Sequence, residues 1–230
     1  MKIVLIHGQN HKGSSYHIGR MVAEKISDEE NLTEFFLPRD LNHFCTGCYA
    51  CIDDVTKCPF YEEKNRIMAE VEAADILIFT TPTYALRESA PMKSFIDLTF
   101  NYWMSHRPRK CMFSKKAVVV STAAGTGAKK AVKYVANALF YWGIPRVWTY
   151  GISVQAMNWN GVKGKKKQKT EKKTARIADR VRKKAVKTGI KTKAFFMLMR
   201  MMQKADLASG EADKAYWKKN GWLGKERPWK

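Results

Sequence analysis

The alternation of short apolar runs with segments of helical periodicity constrains the fold of this chain more than any other feature. The apolar runs occupy residues 2–6, 32–37, 76–81, 117–121 and 147–151. The third run is apolar or β-branched throughout, as is typical of a strand that is covered on both faces of a parallel sheet. Strands that alternate with helices predict an α/β fold with a doubly wound parallel sheet. For five strands we expect the order 2-1-3-4-5.

The segments between the apolar runs indicate helices, because their apolar residues recur every three or four positions. We expect one helix to begin at Ser14 or Ser15, whose hydroxyls can cap it, and others to cover residues 61–73, 91–103 and 128–141. A sheet of this kind binds ligands beyond the carboxyl ends of its strands. The residues after strands one, three and four are therefore the first candidates for a site.

Basic residues are concentrated in the last third of the chain. The 230 residues carry a formal net charge of +21, and residues 156–230 hold 23 lysines and arginines against 6 acidic residues. We predict an α/β domain over residues 1–155 and a basic, mainly helical C-terminal extension over residues 156–230. Residues 163–173 are so rich in lysine that we expect a flexible linker there.

The extension has more than one interpretation. The dense apolar run at residues 194–202 favours packing against the α/β domain or a second subunit, and we expect a homo-oligomer. A basic amphipathic helix can also lie on a membrane surface, which is the less favoured alternative. The charge suits an anionic partner or a solvated helix face. No nucleic-acid recognition motif accompanies it, so we expect no specific nucleic-acid binding.

The sequence predicts a cytoplasmic protein. No apolar run approaches the ~18 residues of a membrane span. Residues 1–8 contain four consecutive apolar residues, which indicates a strand entering a turn rather than a signal peptide. In the cytoplasm the five cysteines are expected as thiols or metal ligands rather than as disulfides.

Three loops that follow predicted strands carry residues that suit a ligand. Residues 8–15 combine two glycines, two serines and the start of a helix; Ser14 stands where a nucleoside-triphosphate loop requires lysine, so the loop suits one terminal phosphate. Residues 81–84 supply a proline, a hydroxyl and an aromatic face. Residues 121–127 are small and allow the backbone to approach a ligand. Turns without a ligand are the alternative for each loop.

Five segments of the chain together form a family pattern: residues 8–15, 45–51, 74–76, 81–84 and 92–97. The pattern resembles the flavodoxin-like NAD(P)H-dependent FMN reductases, in the branch that includes iron–sulfur flavoproteins. The resemblance covers about residues 1–155, and it implies the flavodoxin-like fold to which the order 2-1-3-4-5 belongs. The phosphate loop of the family is often written Gly-Ser-Pro-Arg-x-x-Ser-x-Thr. Gln9, Asn10, His11 and Tyr16 replace its Ser, Pro, Arg and Thr here.

The resemblance implies a binding site for FMN. Its phosphate is expected at the first loop, on Gln9, His11, Ser14, Ser15 and Tyr16. Its isoalloxazine is expected at the other two loops, on Pro82, Thr83, Tyr84, Ala123, Ala124, Gly125 and Gly127. No catalytic acid or base is expected, because the flavin carries the hydride chemistry.

Four cysteines form the compact pattern C-x2-C-x2-C-x6-C: Cys45, Cys48, Cys51 and Cys58. Compact spacing allows four thiolates to bind a [4Fe–4S] cluster, and the pattern resembles the motif of iron–sulfur flavoproteins. A thiol-only structural or redox loop is an alternative. Zinc is a third, although zinc sites more often use two separated C-x2-C pairs. Cys111 lies apart and is expected to be a structural or free thiol.

The implied function is that of an FMN-dependent oxidoreductase that takes hydride from NAD(P)H. The electrons would pass to a small molecule or a protein: a quinone, free flavin, a nitro compound or a protein acceptor. The alternative is an electron-transfer flavoprotein with a cysteine-bound iron–sulfur cluster that is reduced by ferredoxin.

Overall fold

The computed structural model describes residues 1–207 and 210–230. Six strands lie in these residues: β1 (Ile3–His7), β2 (Leu32–Phe36), β3 (Ile76–Tyr84), β4 (Arg87–Glu88), β5 (Lys116–Ala123) and β6 (Arg146–Ser153). Five of them form a parallel sheet in the order β2-β1-β3-β5-β6. Apart from the two-residue β4, this is the predicted order 2-1-3-4-5. The flavodoxin-like fold is confirmed.

The strand β4 was not predicted. It pairs antiparallel with the end of β3, which runs through the predicted loop to Tyr84. Ala85 and Leu86 connect the two strands with φ angles of 47° and 64°. Left-handed backbone at both central residues is the conformation that closes a two-residue hairpin. Neither residue belongs to the types that favour this turn, and the sequence therefore gave no hairpin signal.

Eight α-helices lie in the described residues. They are α1 (Ser14–Glu24), α2 (Ala50–Asp53), α3 (Tyr61–Ala73), α4 (Ala90–Leu98), α5 (Ala128–Tyr141), α6 (Gly164–Lys183), α7 (Ile190–Lys204) and α8 (Glu211–Lys219). The helix predicted over residues 91–103 ends early: α4 stops at Leu98, and a 3-10 turn covers Phe100–Tyr102.

The prediction of a flexible linker at residues 163–173 is wrong. These residues form the first half of α6, which runs for 20 residues without a break. Thr170, Thr174, Ile177 and Val181 are buried and lie on one side of this helix. Lysine is a good helix former, so a buried stripe is sufficient to fix a lysine-rich helix on the domain.

The sheet has a hydrophobic core on each face. On one face, α3, α4 and α5 cover side chains such as Leu77, Phe79 and Val119. On the other face, α1 and α6 cover Ile3 and Ile78. The C-terminal extension therefore shares a core with the sheet.

A third cluster joins α7 and α8 to the domain. Phe196, Trp217 and Trp222 are buried there together with Phe113 and Met104 from the segment before β5. The Trp217 indole donates a hydrogen bond to the carbonyl of His106 over 2.6 Å. Within the described ranges, no helix is both long enough and apolar enough to span a membrane.

Candidate functional site

The first loop follows β1 and is tied to β3. The amide of Gly8 donates to the carbonyl of Thr80 over 2.7 Å, and the Ser89 hydroxyl donates to the carbonyl of Gly8 over 2.6 Å. A Cβ atom on Gly8 would lie 2.6 Å from Ser89 Oγ, so a larger residue would displace the hydroxyl that holds this position. The loop therefore begins from a backbone position that β3 and the start of α4 fix together.

The end of β3 connects the first loop to the third. The Tyr84 hydroxyl donates to Gln9 Oε1 over 3.2 Å, and the hydroxyls of Thr83 and Ser121 are 2.9 Å apart. Tyr84 is 52% exposed, which leaves an aromatic face open at this edge. The hydroxyl contacts join all three predicted loops at the carboxyl edge of the sheet.

The third loop, residues 124–127, packs directly on the β3–β4 turn. Gly127 has a φ of 97°, and a Cβ atom there would lie 2.9 Å from Thr83 Cγ2 and 3.0 Å from Leu86 Cα. Glycine is therefore needed for both conformation and space. Ala123 ends β5 and is buried, whereas Ala124 and Gly125 are exposed. The backbone of residues 124 and 125 is therefore open at the edge of the sheet.

The edge of the sheet attracts anions. α1 and α5 both begin here, and neither has an acidic residue in its first turn. The N-cap of α1 is Gly13, which leaves the first amides without a side-chain cap. Helix N-termini carry partial positive charge, and Lys12 and Lys129 add full charges nearby.

The predicted phosphate residues occupy different parts of the first loop. Ser14 and Ser15 form the first turn of α1, Gln9 is buried in the loop, and His11 is exposed. The ring of Tyr16 lies instead toward β2, with its centroid 5.8 Å from that of Phe36. Gln9 and His11 are in direct contact, since Gln9 Nε2 donates to the carbonyl of His11 over 3.2 Å. The Tyr16 ring packs toward β2 and has Lys12 Nζ over it, 5.5 Å from its centroid.

The four cysteines of the compact pattern line one cavity of about 350 Å³. Cys45 and Cys48 are exposed, Cys51 is buried on α2 and Cys58 is half-buried. The rest of the lining is mostly apolar, with Ile96, Phe100 and Trp103, and it also includes Asp97. Within residues 1–207 and 210–230, no three Cys, His, Asp or Glu side chains lie close enough together to hold a metal ion. The thiols share a cavity but do not converge on one point.

A buried lysine lies beside this cavity. Lys64 is 2% exposed, and its Nζ has no hydrogen-bond partner in the described part of the chain. Burial raises the pKa of the Cys51 thiol, and the positive charge of Lys64 opposes that rise. The Cys58 and Cys45 thiols act on Cys51 as well. The amide of Lys64 donates to the carbonyl of Phe60 over 3.2 Å, and Phe60 lines the cavity.

The C-terminal extension supports the cysteine cavity from outside. The Arg107 guanidinium donates to the carbonyl of Cys51 over 2.5 Å. The Asp213 carboxylate of α8 is fully buried; its Oδ1 lies 3.0 Å from Arg107 Nε, and its Oδ2 lies 2.8 Å from His106 Nδ1. Ile52 of α2 also faces Gly210 at the start of α8. The extension therefore helps to hold α2 in place.

Sequence reasoning missed four residues that connect the loops and the cavity: Ser89, Lys64, Arg107 and Asp213. One of them left a signal. Lys64 precedes Ile67, Met68 and Val71 at helical spacing, which places it on the buried face of α3. The others act through pairs that are distant in sequence, and such pairs leave no local pattern.

The family follows from a match along most of the sheet domain. The sequence profile described as NADPH-dependent FMN reductase matches residues 1–156. The chain belongs to this family. The predicted resemblance is thereby confirmed.

Curated relatives of this family member include two archaeal iron–sulfur flavoproteins. The one from Archaeoglobus fulgidus is 32% identical over 103 residues, which is 44% of this chain and 44% of the relative. The one from Methanocaldococcus jannaschii is 26% identical over 145 residues, which is 60% of this chain and 70% of the relative. The chain therefore matches less than half the length of the first of these relatives.

Solved structures share the fold at low sequence identity. An FMN-dependent NADH-azoreductase from Bacillus anthracis aligns with a TM-score of 0.57 and 13% identity, over 79% of this chain and all of that one. An NAD(P)H:quinone oxidoreductase from Methanothermobacter marburgensis aligns with a TM-score of 0.60 and 14% identity, over 78% of this chain and 94% of that one.

Proposed function

We propose that this protein is an FMN-dependent oxidoreductase that takes hydride from NAD(P)H and passes electrons to a small-molecule or protein acceptor. One observation carries the proposal: three permissive loops are joined by hydrogen bonds at the carboxyl edge of the sheet, between two uncapped helix N-termini. Membership of the NADPH-dependent FMN reductase family supports the same assignment.

Different residues of the three loops would bind the phosphate and the isoalloxazine of FMN. The amides at the start of α1, with Ser14 and Ser15, would bind the phosphate, because an uncapped helix N-terminus favours an anion. Pro82–Tyr84 and the backbone of residues 123–127 would hold the isoalloxazine, since an exposed aromatic ring and bare backbone suit a flat ring system. FMN, when bound, supplies the hydride and electron transfer chemistry. The protein residues orient the flavin.

The proposed acceptors are a quinone, free flavin, a nitro compound or a protein. A quinone has the most support among them. A probable NADPH:quinone oxidoreductase from Oryza sativa is 33% identical over 67 residues, which is 29% of this chain and 30% of that relative. A quinone is a flat molecule that can lie along the same open edge as the flavin. Turnover assays with these acceptors under one set of conditions would rank them.

The phosphate assignment is tested by placing negative charge at the first turn of α1. The double variant Ser14→Asp with Ser15→Asp should lose FMN, because the carboxylates repel the phosphate. Ser27→Asp with Ser114→Asp adds the same charge away from the site and is the matched control. FMN bound per protein is measured by absorbance after reconstitution. Equal FMN binding in both double variants would contradict the assignment.

The four-cysteine cavity favours a second candidate function, that of an electron-transfer flavoprotein with an iron–sulfur cluster. The donor set fits a cluster in number and chemistry, because four thiols line one cavity and a [4Fe–4S] cluster takes one thiolate at each of four separate irons. The thiols therefore need not converge on one point, as they would for a single metal ion. The buried Lys64 ammonium has no hydrogen-bond partner in the described residues. When bound, the cluster would supply one-electron transfer, and Cys45, Cys48, Cys51 and Cys58 would be its ligands. We propose ferredoxin as the reductant in this case.

Analysis of anaerobically purified protein separates the two candidate functions. Iron and sulfide in the purified protein, lost in each single Cys→Ser variant of the four while FMN stays bound, would support the electron-transfer function. Cys111→Ser is the control and should keep its iron. Protein without iron and sulfide, whose flavin is bleached by NADPH, would support the thiol-only oxidoreductase.

A further inference from the structure

The buried position of Lys64 requires a negative charge that the neighbouring side chains do not supply. The residue occupies the core-facing side of α3, and its Nζ has no hydrogen-bond partner in residues 1–207 and 210–230. An ammonium removed from water is strongly disfavoured unless an anion or hydrogen bonds compensate for its lost hydration. If the groups around Lys64 stay neutral, burying its ammonium only destabilises the folded protein.

The cysteine cavity holds two kinds of group that can be anionic, its four thiols and Asp97. The Asp97 carboxylate is already paired with Lys93 Nζ over 2.7 Å, which leaves the thiols. The Lys64 charge acts on the Cys51 sulfur, which also interacts with Cys58 and Cys45. Four neutral thiols carry no charge. Four thiolates around an iron–sulfide core do, because their negative charge outweighs the positive charge of the core. The site thus changes from neutral to anionic when it is assembled.

We propose that Lys64 is the counter-charge of an iron–thiolate site formed by Cys45, Cys48, Cys51 and Cys58. It is a positioning residue and not a ligand. The proposal rests on the second candidate function. The backbone fixes the position of Lys64 relative to Cys58. The carbonyl of Cys58 accepts a hydrogen bond from the amide of Tyr61 over 3.0 Å, and Lys64 lies on the next turn of α3. The helix therefore keeps the ammonium beside the ligands.

Two consequences distinguish a counter-charge from a lysine that only fills space. One-electron reduction makes the site more negative, so a fixed positive charge nearby raises its reduction potential. Lys64→Met keeps the length of the side chain and removes the charge. It should shift the midpoint potential to more negative values or lower the iron content. Without iron, the same variant should be at least as stable as the wild type, because it removes an unpaired buried charge.

The test compares Lys64→Met with Lys64→Arg, which keeps the charge, and with Lys57→Met, which removes an exposed charge from the same region. Proteins are purified anaerobically. Iron, sulfide and FMN per chain, the midpoint potential and the unfolding temperature of iron-free protein are measured. We expect unchanged FMN in all variants. A negative shift of the potential, or a loss of iron, is expected only in Lys64→Met.

Three results would overturn the proposal. The first is a potential and an iron content for Lys64→Met that match those of Lys57→Met. The second is loss of iron in Lys64→Arg as well as in Lys64→Met. The third is a lower unfolding temperature of iron-free Lys64→Met, which would show that Lys64 is already compensated within the protein. Wild-type protein without iron and sulfide would end the second candidate function and this inference together, while the flavin proposal would stand.

Discussion

Replacing Asp213 with asparagine should strongly destabilise the protein. The Asp213 carboxylate is fully buried and lies 3.0 Å from Arg107 Nε and 2.8 Å from His106 Nδ1. Asparagine keeps the shape and removes the charge, so the buried Arg107 guanidinium loses its counter-ion. Removing one partner of a buried ion pair costs about 3–5 kcal/mol. A natural domain has only about 5–15 kcal/mol of stability in total.

Urea unfolding followed by circular dichroism measures this loss. For a chain of this size the free energy of unfolding falls by about 2–3 kcal/mol per molar urea, so the midpoint should drop by about 1–2.5 M. Asp206→Asn is the matched control, because Asp206 pairs with Lys214 in the same part of the extension but both side chains are exposed. An exposed pair contributes little, and the control midpoint should stay close to that of the wild type.

The same variant should expose Cys51. Arg107 donates to the carbonyl of Cys51, so loss of its anchor loosens α2. The rate at which a thiol reagent modifies Cys51 should increase in Asp213→Asn and not in Asp206→Asn, as measured by mass spectrometry of modified peptides. Equal urea midpoints and equal Cys51 rates in the two variants would refute the argument that the extension is part of the folded core and supports the cysteine cavity.

Three further predictions concern the flavin loops, the buried tyrosine and the exposed face of α7. Gly127→Ala should weaken FMN binding about tenfold, since a left-handed alanine costs about 1–2 kcal/mol and its Cβ would clash with Thr83. Fluorescence titration with FMN measures the affinity, and an unchanged affinity would contradict the prediction. Burial raises the pKa of Tyr102 to about 12. Because that pKa is raised in the folded state, the tyrosine contributes stability below pH ~10 that is lost as the pH rises toward 12. Between pH 10 and 12, Tyr102→Phe should therefore lose less stability than the wild type, as measured by denaturant titrations. Equal losses of unfolding free energy in the two proteins would argue against this. An exposed apolar stripe lies on α7 and consists of Ile190, Met197, Leu198 and Met201. We expect a homo-oligomer that dissociates in the double variant Leu198→Glu with Met201→Glu. Light scattering that shows a wild-type monomer at micromolar concentration would disprove this.

The sheet was predictable because each of its strands carries its own signal. The continuous apolar run of β3 indicates a strand buried on both faces, and the helical spacing in α3 and α5 identifies the crossovers. The order of the strands then follows from general rules of topology. The turn at Ala85 and Leu86 was not predictable, since neither residue type favours the left-handed conformation that both adopt.

The extension was the least predictable part of the fold. The lysines of residues 163–173 concealed a helix, because its buried positions near that end are threonines, Thr170 and Thr174, rather than large apolar residues. The aromatic segment of residues 101–106 has partners that the sequence does not reveal. It is mostly buried in the described structure, where Met104 packs with Trp217 of α8. Such partners are far apart in sequence, and only tertiary structure reveals them.

The candidate flavin site was predictable as a location more than as a set of contacts. Three loops with small and hydroxyl residues at neighbouring strand ends marked the edge of the sheet. The contacts that join them, between Tyr84 and Gln9 and between Thr83 and Ser121, depend on strand register and became visible only in the structure. The division of the chain at residue 155, and each residue's part in FMN binding, remain predictions.

Anaerobic titration of the reconstituted protein with NADPH tests the central claim most directly. FMN released from the same preparation by denaturation is identified by mass. We predict one FMN per chain, with no FAD, and loss of the oxidised flavin absorbance as NADPH is added. Recovery of FAD, failure to bind FMN, or a bound flavin that neither NADPH nor NADH bleaches would contradict the assignment of this protein as an NAD(P)H-dependent FMN oxidoreductase.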